Sequence, residues 1–187
     1  MTQKKLNLTK IVFIGMLTAV VCVITLYRFP LLGSQVHFAN GICLLSGLLM
    51  GPAAGGLAAG LGSALYDVLL GGYGLVECVI TFVNKFAMAW VCGKIAFSGN
   101  REAKDHKWNI IGSVIGALTY VSLYLFKTFI FQKFVYGFPA EAVWATILSK
   151  VPGSMINAVV AMIAAPIIYT ALSRALERGG LLKKMRS

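Results

Sequence analysis

From Leu8 to Leu172 the sequence is a series of long apolar runs, separated by short stretches where glycine, proline and charge collect. A run of about twenty apolar residues is what crossing hydrocarbon requires. Inside a bilayer every backbone amide must find a partner within its own segment, so such runs fold as helices. Six are expected, over about residues 8–27, 38–50, 53–70, 75–97, 108–131 and 143–172. The first closes at Arg28 and Pro30, the short second at Gly51-Pro52, and the third at Gly71-Gly72-Tyr73-Gly74. A polar stretch from Ser98 to Lys107 separates the fourth from the fifth, and a loop through Tyr136, Gly137 and Pro139 leads to the sixth. The expectation is an all-α membrane protein, a compact six-transmembrane-helix bundle forming one domain over residues 1–187.

Charge supports this. Only 12% of the 187 residues are charged against 58% hydrophobic, where a soluble domain carries about a quarter charged. The exterior is therefore expected to face lipid. The net charge of +11 does not indicate nucleic acid, because the basic residues sit at segment ends and form no phosphate-tracking patch. Most gather with the two termini and the 98–107 loop: Lys4, Lys5, Lys10, Lys94, Arg101, Lys104, Lys107, Arg174, Arg178, Lys183, Lys184 and Arg186. Basic loops stay cytoplasmic, so both termini are expected there. Lys4, Lys5 and Lys10 precede an apolar stretch as in a signal peptide, but no small-x-small cleavage pattern follows, which implies a retained first span.

Several features point away from other functions. Cys22, Cys43, Cys78 and Cys92 lie inside apolar runs without a C-x-x-C pair and read as small buried hydrophobes; no metal or other cofactor is expected. Segment three is rich in small residues, with Gly56 and Gly60 four apart and Gly55, Ala59 and Gly62 beside them. These allow close helix packing in lipid. No G-x-x-x-x-G-K-[ST] occurs, so the chain cannot bind ATP through a P-loop. Gly15 and Ala19 in the first segment suit either internal packing or the docking of another membrane subunit.

Ionisable and amide groups within spans cost several kcal/mol unless paired or hydrated, so each needs a reason. Asp67 lies near the outer end of segment three. Lys85, beside Asn84, lies roughly 12–15 Å inside the outer end of segment four at the helical rise. It must face the interior, either to pair with Asp67 or Glu77 or to meet a ligand. On segment five, Ser113, Gly116, Tyr120, Tyr124 and Lys127 follow at helical spacing on one face. The tyrosines and lysine suit a flat polar heterocycle, or an interfacial aromatic belt. On segment six, Lys150, Ser154 and Asn157 share a face around Pro152-Gly153; Asn157 can serve a heterocycle edge or clamp two helices. His37 opens segment two from outside after Gly33-Ser34-Gln35, as a loop residue or a ligand contact. Convergence of these groups at one depth suggests an outward-facing pocket.

With this layout the chain resembles the substrate-binding S components of energy-coupling factor (ECF) vitamin importers, in particular the riboflavin-type family. The resemblance rests on Gly51-Pro52-Ala53-Ala54-Gly55-Gly56, on Leu61-Gly62-Ser63-Ala64-Leu65-Tyr66-Asp67 and on Thr81-Phe82-Val83-Asn84-Lys85. It implies a multi-pass protein of the bacterial cell membrane that captures substrate from outside. It also implies a membrane coupling subunit and two cytoplasmic ATPases as partners, no catalysis by the chain itself, and toppling in the membrane to release cargo. Related S components dock through an alanine-x-x-x-alanine strip in the first helix; Gly15 stands at the first of those positions and Ala19 at the second. The cargo implied is riboflavin-, pyridoxine-, pyrimidine- or queuosine-precursor-like. The rival readings are a self-sufficient secondary transporter or channel, whose inverted repeats are not seen, and a membrane enzyme. An enzyme would need a base, nucleophile or metal set, and His37 and His106 fall on opposite expected sides.

Overall fold

The structure, a computed structural model, describes residues 8–31 and 34–186; Lys4, Lys5 and Gly33 lie outside them. Helix α1 (Leu8–Leu26) leads into an antiparallel hairpin, β1 (Arg28–Leu31) and β2 (Ser34–His37). Then come α2 (Ala39–Met50), α3 (Pro52–Tyr66), α4 (Leu75–Ala96), α5 (His106–Ile130), α6 (Ala140–Arg178) and a short α7 (Leu181–Arg186). Helices α3 and α5 each run on into a π-helical turn, Asp67–Gly71 and Phe131–Val135. With these turns counted, five helices among the described residues are long and apolar enough to cross a membrane.

Helix α2 is the exception. Its 12 residues give about 18 Å at 1.5 Å per residue, well short of a hydrocarbon core of about 30 Å. All of them except Ile42 are buried, so α2 is sheltered by protein and need not match the bilayer. It turns sharply into α3 at Gly51, whose φ of 80° is open to glycine at little cost. Pro52 then starts α3, where its missing N–H is not needed.

The small residues of α3 do what lipid-embedded packing requires. A Cβ on Gly60 would sit 2.8 Å from the Phe82 ring, and one on Gly56 3.0 Å from the Phe86 ring, so α4 lies against bare backbone. Helix α3 also packs on α1 and α2, while α5 packs between α4 and α6. Leu44, Leu48, Leu49, Met88 and Val21 fill the centre. Val12, Met16, Ile115, Ile163 and Ile167 point outward, the distribution expected of a lipid-facing surface.

The two ends of the bundle are built differently. At one end α7 folds back and Arg186 donates to the carbonyls of Leu49 (3.1 Å) and Glu102 (2.8 Å) and to the Tyr169 hydroxyl (2.9 Å). It thereby caps the C-terminus of α2 and ties the C-terminal helix to the α4–α5 connection. The hairpin and both π-turns lie at the opposite end.

The hairpin is absent from the sequence-based expectation, which held all pairing to be helical. Its residues lie between spans, where that constraint lapses. In its register Arg28 faces His37, Phe29 faces Val36 and Pro30 faces Gln35. Asn157 on α6 serves the free edge of β2: it donates through Nδ2 to the Gln35 carbonyl (2.7 Å) and accepts from the His37 N–H at 2.9 Å. One side-chain amide thus replaces a neighbouring strand.

Candidate functional site

A cavity of about 360 Å³ opens at the hairpin end. Five elements build most of its wall: the hairpin ends (Arg28, His37), α3 with its π-turn (Ser63, Asp67), α4 (Glu77, Thr81, Asn84, Lys85), α5 with its π-turn (Tyr120, Tyr124, Lys127, Gln132) and α6 (Lys150). Thr25, Tyr73, Thr128, Phe131 and Tyr136 complete it. The volume is in the range of small-molecule sites.

Lys85 is the most buried cation among the described residues, 4% exposed. It donates to the amide oxygen of buried Asn40 and lies 3.9 Å from the centroid of the Tyr120 ring. Neither carboxylate proposed as its partner is used. Asp67 pairs with Arg28 at 3.7 Å, and Glu77 pairs with Lys127 at 3.2 Å. Among the described residues Lys85 makes no ion pair. Its position follows from α4 sequence: Cys78, Asn84, Lys85, Met88, Ala89 and Cys92 form the buried side of that helix.

The tyrosines of α5 form a platform. Tyr120 and Tyr124 stack with centroids 6.2 Å apart and planes 18° from parallel. Lys150 reaches over the Tyr124 ring at 5.5 Å. Ser113 and Gly116, on the same helix, are instead spent on packing: a Cβ at Gly116 would sit 2.7 Å from the Met88 carbonyl.

His37 is held neutral. Burial first, then the charges of Lys85 and Arg28, lower its pKa from 6.5 to about 3. Among the described residues its Nδ1 has no hydrogen-bond partner, nor has Gln132 Oε1. Each such buried atom costs about 1–3 kcal/mol, and both belong to the cavity wall. Polar groups of a ligand seated there would offset that cost.

Of the residues expected at the site, the structure brings His37, Asp67, Asn84, Lys85, Tyr120, Tyr124, Lys127 and Lys150 to one wall. Asn157 is not part of it; its amide is committed to β2, so it positions the hairpin that carries His37. Gly15 and Ala19 lie on the outer face of α1, both exposed, and a Cβ on Gly15 would meet nothing within 4 Å. This removes internal packing as their reason. Sequence reasoning missed Arg28, which donates through Nε to the Thr25 carbonyl (2.9 Å) and packs 4.0 Å over the Tyr66 ring. It also missed Gln132 and Asn40. A cation next to Pro30 at a span end was the available signal for the first; the others had none.

The comparisons with known proteins agree with this geometry. The family model described as "ECF-type riboflavin transporter, S component" matches residues 5–174. Among solved structures, one from "Structure and mechanism of the S component of a bacterial ECF transporter" superposes with a TM-score of 0.70 at 20% identity, covering 89% of this chain and 96% of that one. At that identity the likeness speaks for the fold. No curated protein matches the chain. An integral membrane bundle with a polar cavity at one end and a family match over nearly its whole length has one reading: the chain belongs to the ECF-type riboflavin transporter S-component family and is a substrate-binding subunit.

Proposed function

We propose that this subunit captures a flat heterocycle, rich in nitrogen and oxygen and of the vitamin or modified-base kind, from outside the cell. It hands that cargo to an ATP-driven coupling module and carries out no catalysis itself. The observation that carries the proposal is Lys85: a buried ammonium with an amide oxygen and a ring face as neighbours, directed at a cavity and lacking a carboxylate partner among the described residues. In a low-dielectric interior such a charge is costly, and a ligand carbonyl or anionic group offsets the cost. The Tyr120–Tyr124 platform offers stacking area beside it. Riboflavin-, pyridoxine-, pyrimidine- and queuosine-precursor-like molecules all meet this description.

The gathering of basic residues at the termini and the 98–107 loop supports a cytoplasmic location for both termini and for the Arg186 end. The cavity then faces outward. Gly15 and Ala19 form a flat strip on α1 suited to a membrane-embedded coupling subunit, since small residues let another helix approach closely. Substituting Gly15 or Ala19 with leucine is expected to abolish transport by the assembled importer yet leave ligand affinity of the isolated subunit within twofold. Proteoliposomes holding this chain alone are expected to show no uptake; ligand accumulation in them would establish a self-sufficient transporter instead.

A further inference from the structure

The charge around the cavity is lopsided. Arg28, Lys85, Lys127 and Lys150 supply cations, and the wall's carboxylates are Asp67 and Glu77. Both carboxylates are taken, Asp67 by Arg28 and Glu77 by Lys127. Lys85 and Lys150 have no carboxylate partner among the described residues, and each lies instead against a tyrosine of the stacked pair. A ring face attracts an ammonium only weakly compared with a full negative charge. His37 is neutral at physiological pH, because burial and the Lys85 and Arg28 charges hold its pKa near 3, so the surplus resides on the two lysines.

We infer that, given the binding-subunit reading above, the substrate carries an acidic group ionised at neutral pH, a carboxylate or a phosphate, which engages Lys85 and Lys150 while its ring stacks on Tyr120 and Tyr124. Neutral heterocycles of the same shape lack that group and leave both ammoniums uncompensated. Discrimination arises because an unpaired buried charge weighs more than a lost contact.

Calorimetry of the full chain in detergent, with matched acidic and neutral probes, tests this. Suitable pairs are nicotinate and nicotinamide, pyridoxal phosphate and pyridoxal, and flavin mononucleotide and riboflavin; the first reads carboxylate, the others phosphate. An acidic member is expected to bind at least 100-fold tighter than its neutral twin, and Lys85→Met or Lys150→Met to reduce that preference below tenfold. Should Lys85→Met fail to fold, Lys150→Gln, at a half-exposed position, gives the same readout. A neutral member binding as tightly as its acidic twin overturns the inference and leaves the binding-subunit reading intact. Mass spectrometry of the co-purifying molecule decides in the same way by the presence or absence of an acid group. A folded protein that binds no probe and co-purifies with nothing overturns both.

Discussion

The two halves of the bundle obey different rules. At the Arg186 end, backbones touch: a Cβ on Gly93 would lie 2.7 Å from the Pro52 nitrogen and 2.9 Å from the Gly47 carbonyl. There Ser46 donates across to the Gly55 carbonyl at 2.8 Å. At the hairpin end the helices part, two of them finish in π-turns, and charged side chains stand around a hollow. Lipid gives helices no hydrophobic reason to associate, so close packing and internal hydrogen bonds must supply the cohesion. Concentrating that cohesion in one half leaves the other free to hold groups whose burial is unfavourable. π-turns cluster at functional sites for a related reason, since they redirect side chains at some cost to helix regularity.

Perturbations should therefore separate the halves. The largest effect is expected from Gly93→Val, which forces side-chain atoms into the α2–α3 turn; a loss of about 3 kcal/mol or more should show as failure to purify as a monodisperse species, or a much lower melting temperature. Lys85→Met should behave in the opposite sense. Ligand affinity is expected to fall about 100-fold, some 3 kcal/mol, while the melting temperature of the ligand-free protein changes little, because relief of the unpaired buried charge offsets the cost of stranding the Asn40 amide oxygen.

A smaller effect concerns pH. An unfolded His37 takes a proton below about pH 6.5, whereas the folded residue refuses one until about 3. Its folded value is depressed, so stability is lost as pH falls below about 6.5, by up to about 1.4 kcal/mol per pH unit. The groups bearing on it are Lys85 and Arg28, the latter paired to Asp67. Between pH 6.5 and 5, above the ordinary carboxylate range, the melting temperature of His37→Gln should fall less than that of the native protein. Smallest is Asn157→Ala, which strands the Gln35 carbonyl and the His37 N–H. About a tenfold loss of affinity is expected, together with faster hydrogen exchange in β2 and no change around Arg186. An equal loosening at both ends would erase the distinction between them.

Much of the helical frame was legible because bilayer thickness sets the length of apolar runs and because glycine and proline mark their ends. Tyr120, Tyr124 and Lys127 were legible as a cluster because helical periodicity fixes their face, Lys150 because it falls at the same depth on the next segment, and Lys85 because its depth forbids the lipid side. The hairpin was hidden: ten residues of mixed polarity carry little period-two signal, and the reasoning that serves hydrocarbon says nothing about segments outside it. Asn40 was hidden too, because pairing between α2 and α4 is a matter of how two helices cross. Asn157 was open to two readings from sequence alone, a heterocycle edge or a clamp between helices, and its bonds to Gln35 and His37 follow neither, because its partner is the strand β2. The π-turns depend on a change of hydrogen-bond register that side-chain identity does not encode.

The brevity of α2 carries a consequence for cargo size. A helix spanning the full hydrocarbon would add about 12 Å at 1.5 Å per residue, and at its N-terminal end those extra turns would run toward the level where Lys85, Tyr120 and Tyr124 surround empty space. The room for a guest is thus determined by a backbone dimension as well as by the side chains that line it. Lengthening or trimming this one buried rod by a turn offers a way to rescale the accepted molecule while the outer surface presented to lipid and to partner subunits stays as it is.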